Sequence, residues 1–400
     1  MLIHSVGAVT AVGLNAAQTC AAIRAHLSGI EAIIAQAPPD DSLLGARIPV
    51  QAKLKHSGHV WLAHLALRGL RECLAEYEGN LSELALFIAV PELARGHPAT
   101  NDGTGRALLT RIVSSLGLQF SQHSQILLGG HAAVVEALHI VQELLGQNKI
   151  AGAIVGGVDS LLFEGDIERL KRAGRLHAPG NAFGAIPGEA AAFILLKSEL
   201  RPSMKPALAK ILGAGFAQER NMVIGDHYSI GEGLNTAINA ALVHADLPES
   251  AIGWRITDVN GERYRSWESS LVMTRTYRSW RQRLPCLHLP TFTGDVGAAT
   301  SALQIVVAAM AMYRGYAVAP VAICESSSEE GLRSACLVGL APGNVEPSSR
   351  TFFIPTIVRD TKTGGIRHPA TILHQVERIP YELAWLYAHR CAMLQRCSKF

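Results

Sequence analysis

Three places in the sequence carry residues able to do chemistry. His131 stands where a helix expected over about His131 to Leu145 begins, after a brief strand at Gln125 to Leu128. An imidazole at a helix start could act as acyl acceptor or general base, and the positive helix end would lower its pKa and keep it neutral. The alternative is a partly buried histidine held by hydrogen bonds. Glu262, followed by Arg263 and Arg265, and Asp295 form the second place. They are either paired charges or two carboxylates doing acid–base work, as in glycoside hydrolysis. The third is NGERYRSWE, Asn260 to Glu268, polar and aromatic for a loop at a sheet end. It reads as an exposed surface for another protein, built from Asn260, Glu262, Arg263, Tyr264, Arg265 and Trp267.

Other chemistry is not expected. The seven cysteines (Cys20, Cys73, Cys286, Cys324, Cys336, Cys391, Cys397) are odd in number and form no CxxC pair. They read as reduced thiols of a cytoplasmic protein, with no metal site and no redox motif. Gly156-Gly157 reads as a tight turn. No GxGxxG or Walker pattern surrounds it, so no cofactor is expected.

Those residues need a scaffold, and the composition supplies one. Of 400 residues, 48% are hydrophobic and 17% charged, which is too apolar for disorder. No continuous apolar run reaches the roughly 20 residues needed to span a bilayer. The opening MLIHSVGAVTAVGLN has no basic n-region and reads as a core strand and turn, not a signal peptide. A net charge of +3, with no Lys/Arg run that stands out, makes nucleic acid and acidic membranes poor candidates as partners.

Short apolar runs alternate with amphipathic stretches, the pattern of an α/β fold. Strands are expected at Leu84 to Val90, Ile150 to Val155 (closed by the glycine pair) and Gly188 to Lys197, with a helix at Gly105 to Leu116. A second series follows: strands at Ala207 to Gly215, Trp254 to Val259, near Leu287, at Ala317 to Cys324 and Ser334 to Leu340, and helices at Gly231 to Ala245 and Ala298 to Tyr313. The two series have similar order. The expected division is 1–200, 201–345, and a C-terminal extension 346–400 with a helical period over 381–395. That last helix either docks on its own domain or binds a partner.

Several segments resemble the β-ketoacyl synthase family in the order that family uses them. SVGAVTAVGLN (Ser5 to Asn15), LSGIEAI (Leu27 to Ile33), AGAIVGGVDSLLF (Ala151 to Phe163), GRLHAPGNAFGAIPGEAAAFILLK (Gly174 to Lys197) and GDVGAATSALQIVVAAMAM (Gly294 to Met312) carry the likeness. Together they cover roughly residues 1 to 340. The resemblance implies a thiolase-like fold: two similar βαβαβ halves in a layered α-β-α-β-α domain. It makes Glu189 a structural acceptor of backbone hydrogen bonds. It also implies what is missing. The family's nucleophilic cysteine falls on His131, its two histidines on Glu262 and Asp295, and its last glycine-rich loop retains at most Gly331. No cysteine lies between Cys73 and Cys286 to restore the nucleophile. Two carboxylates would repel the carboxylate and enolate of malonyl chemistry.

The resemblance therefore implies a non-condensing protein of ketosynthase fold that binds another protein, as a homodimer or heterodimer. DVNGERYRSWE and GDVGAA further resemble thiolase-like proteins found alongside type VI secretion components, which implies a scaffold, chaperone or co-adaptor for secretion adaptors or effectors. The alternatives are a chain-length-factor-like subunit paired with an active ketosynthase and acyl carrier protein, and an acyltransferase using His131.

Overall fold

In a computed structural model, residues 1–34, 42–49, 58–92, 104–116, 119–200 and 205–343 are described. The expected extension 346–400, with its helix over 381–395, lies outside them. The chain begins with β1 (Leu2–Thr10) and α1 (Ala16–Arg24), whose start is capped by Asn15 accepting from the Gln18 N–H at 2.8 Å. There follow β2 (Ile30–Ile34), β3 (Leu43–Ala46), α2 (Gly58–Leu74), β4 (Leu84–Ala89), α3 (Thr104–Leu116), β5 (Gln125–Leu127), α4 (Ala133–Gly146), β6 (Gly152–Ser160), α5 (Glu164–Arg172) and β7 (Glu189–Lys197). The second series is β8 (Ala209–Gln218), α6 (Glu232–Ala245), β9 (Trp254–Thr257), α7 (Arg263–Thr276), β10 (Cys286–His288), α8 (Pro290–Thr293), α9 (Thr300–Tyr313), β11 (Val321–Ser327) and β12 (Leu332–Gly339).

The duplication that the sequence only permitted is explicit in the strand order. Outward from the seam, one half reads β1-β7-β6-β4-β5 and the other β8-β12-β11-β9-β10. Counting only strands of this ten-stranded sheet, since β2 and β3 pair with each other separately, each half runs first, fifth, fourth, second, third. The parallel and antiparallel pairings repeat as well: β4 is parallel to β5 and β6, and β9 to β10 and β11, while the remaining pairs run antiparallel. The seam itself is short, Leu2 opposite Lys210 and Ile3 opposite Ala209.

Three apolar layers hold the halves. Helices α4 and α9 pack against strands of both, forming the central layer. Every α9 residue from Thr300 to Met312 is buried, which explains a sequence apolar on all sides rather than on one stripe. Outside the first half, Leu62, Leu65 and Leu70 of α2 meet Phe193 and Leu195. Outside the second, Leu234, Ile238 and Leu242 of α6 meet Ile323 and Leu337. Each such side chain contributes roughly 1.5–3 kcal/mol by leaving water.

Two expectations are corrected. Gly156 and Gly157 make no turn; they lie inside β6. They are glycines because other chain comes close: a Cβ on Gly157 would sit 2.0 Å from the Ala298 carbonyl oxygen, and one on Gly156 2.3 Å from that of Ala192. The NGERYRSWE segment is no loop either, since α7 begins at Arg263. The substitution Gly157→Ala should therefore cost about 1–3 kcal/mol by overpacking. Urea denaturation checks this, and wild-type stability in the variant would contradict the close approach.

Candidate functional site

The site lies where β4, β6, β9 and β11 end and α4 and α9 begin. A turn at Gly130–Ala132 leads into α4 and carries His131, only 3% exposed. Its backbone is tied to the second half: the Ser301 hydroxyl donates to the His131 carbonyl at 2.7 Å, and the Ala132 N–H to Ser328 Oγ at 2.9 Å. The ring Nε2 lies 2.8 Å from Asp295 Oδ1, and Nδ1 faces Glu92 Oε1 at 3.7 Å. Glu92 is fixed in turn by the Glu329 and Glu330 N–H groups, each at 2.9 Å. Gly130 has φ +60, and a Cβ there would meet Glu92 Oε1 at 2.1 Å, so the carboxylate's approach requires glycine.

The other two positions join the same network. Asn260 Nδ2 donates to both, reaching Asp295 Oδ2 at 2.7 Å and Glu262 Oε2 at 2.9 Å. Arg175 grips Glu262 with two nitrogens, at 2.6 and 3.2 Å, and reaches Glu329 at 2.9 Å. Arg169 holds the other Glu329 oxygen at 2.8 Å. Arg265, fully enclosed, donates to Asp258 at 2.6 Å and to the Ser327 carbonyl, and its Nε lies 3.4 Å from Glu262. Arg333 and Glu268 extend the set, with Arg333 Nε 2.8 Å from Glu268 Oε1.

Electrostatics follow from these contacts. Burial alone would depress the His131 pKa, but the Asp295 carboxylate outweighs it and pushes it up to about 10. The expected neutral imidazole is corrected: a full charge at 2.8 Å is stronger than the partial charge of a helix end. Burial would raise the Asp295 carboxyl, yet His131 and Arg265 hold it well below the usual range. Burial raises the Asp258 carboxyl even against the pull of Arg265.

At neutral pH His131 is thus an imidazolium already donating to Asp295, with no lone pair for a general base or acyl acceptor. Glu262 and Asp295 share one amide donor and are both ion-paired, Glu262 with Arg175 and Asp295 with His131. The described cysteines take no part; burial pushes the Cys73 and Cys336 thiols up to about 12, where they are inert. Among the described residues no group of three or more His, Cys, Asp or Glu could hold a metal ion. No helix among them is long and apolar enough to cross a membrane.

Of the six residues read as a partner surface, Asn260, Glu262, Tyr264 and Arg265 are buried, and only Arg263 and Trp267 are exposed. Helical turns from Arg263 carry Tyr264, Arg265 and Glu268 inward. Glu262 pairs with Arg265 and Arg175; Arg263 instead lies over the Phe183 ring at 4.3 Å. Glu189 accepts from the Ile48 N–H, the Trp61 indole and the Ser160 hydroxyl, a structural role. Arg175, Glu92, Asp258 and Glu329 were not found from sequence. Three of them carried a signal: Glu92, Asp258 and Glu329 each follow an apolar strand run, at the carboxyl edge where α/β sites form. Arg175 carried none.

No protein-family model matches the chain, and no curated protein matches it. Solved structures do. A type II PKS acyl-carrier protein in complex with its ketosynthase bound to the hexaketide matches with TM-score 0.71 and 14% identity, over 85% of this chain and 98% of that one. A ketosynthase in complex with its chain length factor from Xenorhabdus doucetiae gives 0.67 and 17% over the same shares. A β-ketoacyl synthase from Burkholderia phymatum gives 0.66 and 16%, again over 85% and 98%. At these identities the likeness establishes the fold, which is thiolase-like and of ketosynthase type.

The sign of the His131 effect is testable. A pKa raised from 6.5 to about 10 contributes stability that is complete below pH 6.5 and lost as pH rises toward 10. The stability difference between wild type and His131→Gln should shrink across that window by a few kcal/mol in order of magnitude. Denaturant titrations at several pH values measure it, and a constant difference would contradict the ion pair.

Proposed function

We propose that this chain is a non-condensing protein of ketosynthase fold that works by pairing with an active ketosynthase, in the manner of a chain length factor. What supports this reading is the ion-paired site: His131, Glu262 and Asp295, the positions that the sequence resemblance sets against the ketosynthase cysteine and histidines, are buried and held by one another, by Asn260 and by Arg175. A fold kept without its reaction is suited to holding another protein.

Strand β5 supports such pairing. It ends the strand order of the first half and bonds only to β4 among the described residues. Gln125 on it and Leu128 just after it are exposed, Leu128 at 37%. An open edge of this kind can extend a sheet into a second subunit, as homodimer or heterodimer. The similar structures that are complexes of a ketosynthase with a chain length factor or carrier protein support the same partner class. The type VI secretion scaffold, chaperone or co-adaptor role rests on sequence resemblance alone.

Two measurements test the proposal together. Incubated with malonyl- and acyl-carrier-protein thioesters, the purified protein should release no carbon dioxide and transfer no acyl group above background. Turnover abolished by His131→Ala would instead establish the acyltransferase alternative. Affinity purification from its host, read by mass spectrometry, should recover a ketosynthase and an acyl carrier protein. Recovery of secretion adaptors or effectors in their place would overturn the pairing.

A further inference from the structure

The short seam of the sheet leaves one backbone edge uncovered, and two histidines outside the site meet there. Strand β1 pairs with β8 only at Ala209 and Lys210, so beyond them that edge of β8 has no strand beside it among the described residues. Ala214, buried on this stretch, turns its backbone to a side chain instead. His244, in the last turn of α6, sets its Nδ1 3.2 Å from the Ala214 nitrogen and 3.1 Å from the Ala214 carbonyl oxygen. His139 approaches from α4. Its ring lies 5.3 Å from that of His244 and meets the Phe216 ring of β8 edge-on at 5.2 Å. The pair joins an outer helix, the sheet and a central helix.

One nitrogen cannot serve both backbone groups at once. A bare Nδ1 accepts from the Ala214 N–H; a protonated one donates to the Ala214 carbonyl and leaves that enclosed N–H without an acceptor. His139 offers no relief, since its Nδ1 is enclosed with no hydrogen-bond partner among the described residues. Of the charged groups facing it, Glu143, exposed one turn along α4, favours a proton there, and His244 from α6 opposes one. Strand β8 presents the uncharged Phe216. Burial first and His244 second hold the His139 pKa below its ordinary 6.5. A ring kept neutral by the fold adds stability above pH 6.5, and that stability is lost as pH falls through the depressed value.

We propose that His244 and His139 form a pH-sensitive latch between α6, β8 and α4. With both rings neutral, His244 Nδ1 fastens the last turn of α6 to the edge of β8. A proton taken from solvent by the exposed His244 reverses that hydrogen bond, sets a cation against His139 and releases the turn. The release uncovers backbone of β8 next to the seam between the halves. This device rests on neither the ion-paired site nor pairing with another protein. His131 keeps its proton through the same window, its pKa being pushed up to about 10.

Amide hydrogen exchange on the full chain at about pH 7.5 and about pH 5.5, corrected for intrinsic exchange rates, tests the latch. Protection of Ala214 and of residues 242–245 should fall at least about tenfold at the lower pH, while β6 and α9 stay unchanged. His244→Asn sets an oxygen acceptor near the place of Nδ1 and cannot titrate, so it should keep Ala214 protected at both pH values. His139→Phe keeps the ring contact without a second imidazole and should reduce the fall. Circular dichroism at the higher pH confirms that both variants fold, and the wild-type comparison stands without them. Equal protection at the two pH values in wild type, an undiminished fall in either variant, or a fall shared evenly by β6 and α9 would each overturn the latch.

Discussion

A charge enclosed away from water must meet an opposite charge or a strong donor at hydrogen-bond distance, and that constraint organises the closed end of this molecule. Desolvating an ion costs several kcal/mol, and only close, well-directed partners return it. His131 therefore cannot be considered without Asp295, nor Asp295 without Asn260, nor Glu262 without Arg175 and Arg265. These three positions form one coupled arrangement, in which the His131 imidazolium needs the Asp295 carboxylate beside it.

The same contacts bind the two halves together. The seam of the sheet pairs only two residues on each side, at the end of the strands away from the site. At the other end the partners come from different halves: His131 with Asp295, Arg175 with Glu262 and Glu329, and Glu92 with the backbone of Glu329 and Glu330. A buried ion-pair network adds little net stability compared with apolar packing, but it tolerates few alternative geometries. Together with the central helices α4 and α9, it fixes how the halves meet.

Much of the fold was legible in the sequence, for a specific reason. Runs such as Leu84 to Ala89 and Glu189 to Lys197 are strands buried on both faces, and the order of several motifs pointed to the thiolase-like arrangement. The glycine pair of β6 was misread because a glycine needed for a close approach looks, in sequence, like one needed for a turn. At the site, His131, Glu262 and Asp295 were legible as candidates but their chemistry was not. The helix-end rule predicted a neutral His131, since sequence carries no distance to Asp295. Asn260 to Glu268 looked exposed because polar residues usually are; their burial depends on Arg175, Asp258 and Arg333, more than 60 positions away for two of the pairings, Arg175 with Glu262 and Arg333 with Glu268.

The ionisation of His131 tests the account most directly. In a protein labelled with nitrogen-15 at histidine, both His131 ring nitrogens should carry protons and keep imidazolium shifts from pH 6 through pH values approaching 10, with Nε2–H sensitive to Asp295→Asn. A His131 ring that is neutral at pH 7.5, or that titrates near the ordinary 6.5, would contradict the closed ion-paired site on which the rest is built.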